Sequence, residues 1–216
     1  MNYKNLYHHR FSKDENHKRT LLWRELYRGF LYRYIRPTDT VCDIGAGSLE
    51  FLDVSVCKKK IAVDPLYRKL VVKQGIDGYP SVKYVVKKFR HSVDVVMLSN
   101  ILEHMKDREE IISLLSTVRM LLKPGGSLLI IQPTIDLVGD RYWDFFDHIV
   151  PITRKSLQEV LVVSGFEIQK CIPRFLPYTT KTRFPIPPWM VRIYLIFPWF
   201  LRPFAGQCFI HAIPKI

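Results

Sequence analysis

Cysteine is scarce in this chain. Cys42, Cys57, Cys171 and Cys208 lie far apart, with no CxxC pair, so neither a thiolate zinc site nor a disulfide framework is indicated, and a reducing compartment suits them. Long apolar runs are missing too: the longest uncharged one, Ile193 to Leu201, is nine residues and contains Pro198, against about 20 for a bilayer span. The opening MNYKNLYHHRF has no apolar core of the secretion-signal kind. There is no internal repeat, and residues 173–216 contain no acid at all. These absences exclude a disulfide-stapled secreted module and an integral membrane protein. They leave the expectation of a cytoplasmic protein, with room for peripheral contact at the inner membrane face.

What is present suits one domain with a full core: 216 residues, 48% hydrophobic and 25% charged. Charge is distributed unevenly. Against 20 acids stand 33 Lys and Arg, a formal net charge of +13. Residues 1–36 hold nine bases and three acids and residues 173–216 six and none, whereas 37–140 hold 14 and 13. A nearly neutral centre with two basic flanks points to anionic partners, whether a phosphorylated small molecule, a membrane surface or a nucleic acid.

The stretch from Asp39 to Pro65 organises the chain. Val41 to Ile44 reads as a buried strand, Gly45-Ala46-Gly47 as a turn without side-chain bulk, Ser48 to Val54 as a helix, and Lys60 to Val63 as a second strand ending in Asp64. Two glycines at a helix start let a ligand approach the backbone, and an acid about 20 residues on can bind a ribose diol. Asp64 follows Asp43 by 21 residues. Taken alone, the glycines equally suit a tight turn. A dinucleotide site would want a third glycine at position 50, where Glu50 stands, so NAD is a poor fit.

An acid at the end of the first strand, DIGAG, then AVDP, VDVVMLSNILEHM from Val93 and LLKPGGSLLIIQP from Leu121, taken in this order, resemble the class I S-adenosylmethionine-dependent methyltransferases. The likeness covers about Thr38 to Phe166. It implies an α/β, doubly wound, Rossmann-like sheet of seven strands, mostly parallel with an antiparallel last strand and with helices on both faces. It also implies S-adenosylmethionine as cofactor. Gly45 and Gly47 would admit its methionine end, Asp43 would help hold the ammonium, Asp64 the ribose hydroxyls, and Ser99 or Asn100 would lie near the sulfonium. Leu49 stands where many relatives keep another glycine.

In chain order, Lys13 to Arg36 reads as an amphipathic helix ended by Pro37. Either it packs on the core with a solvated basic face, or it folds over cofactor and acceptor as the resemblance suggests. Leu66 to Gln74 suggests a helix, Val82 to Val86 a third strand, Val93 to Leu98 a fourth, Asp107 to Leu122 a helix, and Ser127 to Ile131 a fifth strand. After the third strand, where relatives often place an acid for the adenine amino group, Lys87, Lys88 and Arg90 stand instead. Pro151 to Ser164 reads as a helix with Thr153 or Ser156 as N-cap and a Ser156/Glu159 capping box. Phe166 to Cys171 begins the sixth strand and Gln207 to Ala212 forms the seventh. The single domain thus divides into an N-terminal helical cap (1–36), a cofactor-binding core (37–172), an insertion (173–206) and the last strand (207–216).

Methyl transfer from a sulfonium works by alignment and exclusion of water, and it needs a base only when the nucleophile carries a proton. The catalytic candidates are His104, after the fourth strand, and His148, beside Asp144 and Asp147 in YWDFFDHIVP. Their structural alternatives are a helix-capping His104 and a His148 that pins its loop. No metal-ligand set is indicated. The fourth strand ends in Ser99-Asn100-Ile101-Leu102 rather than an Asn/Asp-Pro-Pro-aromatic turn, and no Pro-Cys pair offers a nucleophile for carbon-5 methylation, which thins the nucleic-acid classes. Tyr142 to Phe166 and the segment after it resemble methyltransferases of bacterial surface-glycan pathways. The expectation is therefore methylation of a small or lipid-linked, anionic acceptor such as a sugar hydroxyl. An RNA or other nucleic-acid methyltransferase and a catalytically silent cofactor-binding interaction protein stay open. Residues 173–216 hold eight of the chain's 14 prolines, and the insertion within them reads as an irregular cover or as an acceptor lid using Arg174, Lys181 and Arg183.

Overall fold

The computed structural model describes residues 13–65, 75–178, 187 and 189–215. Its seven strands are β1 (Thr40–Ile44), β2 (Lys59–Val63), β3 (Ile76–Tyr79), β4 (Val93–Ser99), β5 (Leu122–Pro133), β6 (Phe166–Pro177) and β7 (Ala205–Pro214). They form one sheet in the order β3-β2-β1-β4-β5-β7-β6. Only β7 runs against its neighbours, β5 and β6. The helices are α1 (Lys13–Gly29), α2 (Glu50–Val54), α3 (Val82–Phe89), α4 (Arg108–Leu121), the single turn α5 (Ile135–Val138), α6 (Arg154–Val163) and α7 (Trp189–Ile196).

The central strands are apolar on both sides because both sides are covered. Along β4, Val96 and Leu98 point into a core shared with Val85 of α3 and Leu115 and Val118 of α4. The alternate residues Val95 and Met97 point into a second core with Leu26 of α1, Phe51 of α2 and Phe175 of β6. The period of two along a strand thus divides one sequence between two layers. Because the chain leaves β1 towards β2 and later returns to β4 on the other side, the carboxyl ends of β1 and β4 flank a topological switch point. Open α/β sheets bind ligands there.

Several elements differ from the sequence expectation. Val82 to Val86 is not the third strand but the start of α3. Val85 and Phe89 fall four residues apart and are both buried, with Lys83 before them and Lys87 and Lys88 between them turned to solvent, which is a helical rather than a strand period. The strand is the short edge element Ile-Asp-Gly-Tyr just before it, whose Asp and Gly weaken any β signal. Helix α1 stops at Gly29 and continues as a 3-10 turn, Leu31–Tyr34. At α6 the cap is Thr153, with Ser156 rather than Glu159 as its reciprocal partner. β5 begins at Leu122 and takes Pro124 to Gly126 into an irregularity opposite β4. The helix expected over 66–74 lies outside the described residues.

Candidate functional site

Buried Asp43 lies on β1 one residue before its end, and the turn that follows is held from below. The amides of Gly45 and Ala46 donate to the Val63 carbonyl of β2 at 2.8 and 3.2 Å, and the Gly47 amide donates to Asp64 Oδ2 at 3.0 Å. Gly45, Gly47 and Leu49 all have left-handed backbone, with φ of 81°, 47° and 72°. At Gly45 a Cβ would meet Ile101 Cδ1 at 2.6 Å, so that glycine is required by packing as well as by φ. At Gly47 a Cβ would meet nothing within 4 Å, which leaves an open face of bare backbone beside Asp64. Leu49 takes the left-handed conformation that relatives assign to glycine, and its side chain is buried.

Three acids gather around this turn: Asp43, Glu50 at the start of α2, and Asp64, all buried. Burial, and then the negative charges of Glu50 and Asp64, push the Asp43 carboxyl up to about 8. Arg19 of α1 forms an ion pair with Glu50, Nε to Oε1, at 3.2 Å, and Trp23 packs on Phe51 at 5.5 Å between ring centroids. The N-terminal helix is therefore fastened to the glycine turn. A site with an open glycine backbone and a cluster of three buried carboxylates suits a cationic, hydroxyl-bearing ligand. S-adenosylmethionine, with its ammonium, sulfonium and ribose diol, has that chemistry. Glu50 was visible in the sequence only as a missing glycine.

Ser99 ends β4 half-buried, and Asn100 follows exposed, at φ 51°, with its amide donated to Ile131 of β5. The chain then makes a 3-10 turn, Leu102–His104, that sends Glu103 inward to 1% exposure. Gln132 of β5 donates Nε2 to Glu103 Oε2 at 3.0 Å. Glu103 Oε1 faces both candidate histidines, 3.9 Å from His104 Nε2 and 4.0 Å from His148 Nε2. The structure thus brings His104 and His148 together, with ring centroids 4.9 Å apart. Asp147, expected beside His148, lies against His104, whose Nδ1 donates to its carbonyl oxygen at 2.8 Å. His148 is enclosed by Tyr142, by Phe145 stacked at 5.1 Å, and by Tyr178. Burial, opposed by the adjacent His104, raises the Glu103 pKa above the usual carboxylate range. Glu103 and Gln132 were missed in the sequence. The only signal for Glu103 was its place beside His104.

The insertion leaves and rejoins the sheet at the carboxyl edge, since the end of β6 pairs with the start of β7, Pro177 opposite Ala205. Within the insertion's described residues, α7 packs on α1: Arg192 pairs with Glu25 at 2.5 Å, and a Cβ on Gly29 would meet Leu195 at 3.3 Å. Arg202 is buried and donates to the carbonyls of Phe197, Arg174, Phe175 and Leu195. Arg174 is exposed. Lys181 and Arg183 lie outside the described residues.

Fold and site together define a class I methyltransferase, an enzyme of the S-adenosylmethionine-dependent kind. The methyltransferase domain family model matches residues 15–170, and the chain belongs to that family. No curated protein matches it. Among solved structures it is similar to an S-adenosylmethionine-dependent methyltransferase from Archaeoglobus fulgidus, at 21% identity over 91% of this chain and 94% of that one, TM-score 0.61. It is also similar to a possible histamine N-methyltransferase from Thermotoga maritima, at 18% identity over 94% and 95%, TM-score 0.63. A third is the 1,6-didemethyltoxoflavin-N1-methyltransferase of Burkholderia thailandensis with bound S-adenosylhomocysteine, at 16% identity over 91% and 79%, TM-score 0.55. At these identities the likeness establishes the fold, and the acceptor must be argued from this chain's own residues.

Proposed function

We propose that this methyltransferase acts on an oxygen of a small or lipid-linked anionic acceptor, such as a sugar hydroxyl of a surface-glycan intermediate. The observation that carries the reading is the cluster that Glu103 and His104, just beyond Asn100 at the carboxyl end of β4, form with His148. A hydroxyl must lose its proton as it attacks, and this cluster is where the site can handle one. When bound, S-adenosylmethionine supplies an electrophilic methyl on a positively charged sulfur. Asp43 would hold the ammonium, Gly45 and Gly47 would admit the methionine end against bare backbone, and Asp64 would accept from the ribose diol. Ser99 and Asn100 would line the space near the sulfonium. Arg19 and Trp23, by fastening α1 to the glycine turn, help exclude water.

The anionic and lipid-linked part is supported by the surface of α1 and α7. Arg28, Arg33 and Arg192 line a cleft of about 420 Å³ between them. Beside it Trp189, Ile193, Ile196, Phe197, Trp199, Phe200 and Phe204 are exposed, Ile196 at 81% and Phe204 at 86%. Cations next to exposed aromatics suit a phosphate-bearing lipid surface. Among the described residues no helix is long and apolar enough to cross a membrane, so this contact would be peripheral. In this reading the insertion is the acceptor lid, and Arg174 near the end of β6, with Lys181 and Arg183 of the insertion, binds the acceptor's phosphate or carboxylate. The test is transfer of labelled methyl from S-adenosylmethionine to lipid-linked sugar phosphates, free sugar phosphates and RNA, side by side. Transfer to a sugar acceptor is expected, and transfer confined to RNA would overturn the reading.

A further inference from the structure

The Glu103 cluster has a feature that proton transfer alone leaves unexplained. Among the described residues, a carboxylate at 1% exposure has no Lys or Arg as ion-pair partner, and its only such neighbours are the two imidazoles. Burying a carboxylate this way is costly unless a cation meets it. The orientations of Glu103 and His104 are also already settled. Gln132 occupies Glu103 Oε2 and turns Oε1 towards the histidines. A backbone carbonyl only accepts, so the bond to Asp147 O makes Nδ1 the donor nitrogen of His104 and leaves the Nε2 lone pair directed at the cluster. One donor atom each from Glu103, His104 and His148 lies within 4.8 Å of the other two.

We infer that Glu103, His104 and His148 bind a divalent transition-metal ion through Oε1 and the two Nε2 atoms. Two imidazoles and one carboxylate suit Zn²⁺, Co²⁺ or Fe²⁺ better than Mg²⁺ or Ca²⁺, which prefer an all-oxygen shell. The four ligands of a tetrahedral Zn²⁺ site lie about 3.4 Å apart, so the two Nε2 atoms, now 3.9 and 4.0 Å from Glu103 Oε1, move about half an ångström towards it, and the two imidazoles, with donor atoms within 4.8 Å of each other, draw together as well. Gln132 and the Asp147 carbonyl are the outer partners that metal-ligating carboxylates and histidines ordinarily have. Glu103 and His148 are buried and His104 is half-buried, so the open coordination positions face the His104 side. The site rests on the reading above for its role: the ion would act as a Lewis acid that holds the acceptor oxygen and lowers its pKa, its proton passing to solvent on the half-exposed His104 side as the methyl is transferred.

The experiment uses the full chain, stripped with a chelator and titrated with Co²⁺ and Zn²⁺ by calorimetry and visible absorption. S-adenosylmethionine binding is measured in parallel on the metal-free protein. About one ion per chain is expected. Glu103→Gln and His148→Ala should each weaken binding by at least about 10-fold, and His91→Asn, on the opposite edge of the sheet, should leave it unchanged. Should a variant fail to fold, ¹⁵N-histidine spectra of the unaltered chain decide: the resonances of two histidines should move on adding Zn²⁺. Absence of stoichiometric binding, or binding insensitive to both variants in folded protein, overturns the inference. Cofactor binding without metal binding leaves the methyltransferase reading intact. Metal binding without cofactor binding does the reverse.

Discussion

The backbone amide of Gly47 donates to Asp64 Oδ2 at 3.0 Å, so the glycine turn after β1 and the acid that ends β2 form one structural unit. The open face at Gly47 depends on that bond, because the acid that would take the ribose also holds the turn through which the ligand approaches.

Asp64→Ala should therefore weaken S-adenosylmethionine binding by about 1.5–3 kcal/mol, roughly 10- to 150-fold, while the protein stays folded. Calorimetric titration checks this, with NAD as the negative control. An unchanged dissociation constant in folded mutant protein removes the ribose role.

The three-acid cluster predicts a pH dependence whose sign is fixed by Asp43. Its folded carboxyl, pushed up to about 8 from an ordinary 3.8, binds its proton more tightly than in the unfolded chain. The ligand-free protein should therefore lose stability as pH rises from about 4 to 8. A bound cation favours the ionised carboxylate, so S-adenosylmethionine binding should release protons. Affinity should rise by up to about tenfold per pH unit between about pH 6 and 7.5. Asp43→Asn should flatten the profile; proton uptake on binding would contradict the assignment.

His148→Ala should lower turnover by about 100-fold or more and leave cofactor affinity alone, whether the cluster acts by itself or through a metal. If the variant turns over normally on the true acceptor, His148 is scaffold.

Arg202 gathers four backbone carbonyls from α7, the residue after it and the end of β6. Arg202→Leu should cost about 1.5–3 kcal/mol, seen as a fall of about 3–12 °C in melting temperature. A smaller shift would mean that α7 is held by its contacts with α1 alone.

The Arg28–Arg33–Arg192 cleft and its exposed aromatics predict binding to anionic vesicles at low salt that weakens as salt is added. Replacing Arg28 and Arg33 with Glu should abolish co-sedimentation without altering S-adenosylmethionine affinity. If the unaltered protein does not sediment at low salt, the membrane part falls and a soluble anionic acceptor is the better reading.

Sequence alone determined the half of the sheet whose signals are local. Asp43, the two glycines and Asp64 are set by strand ends and a tight turn, and β1 and β4 announce themselves as apolar runs buried on both faces. Only tertiary structure decided the acceptor end. Glu103 is inward because a 3-10 turn follows β4, and His148 reaches it across 45 residues because the loop after β5 folds back onto that turn, with the Ile149 and Val150 amides donating to the Glu103 carbonyl. Burial of Glu103 depends on that long-range closure, which no spacing in the sequence encodes. Arg202 and α3 teach the same lesson from opposite sides: a cation in an aromatic segment became the buried clamp of α7, and a valine-rich stretch became a helix. In each, packing partners distant in sequence outweighed local preference.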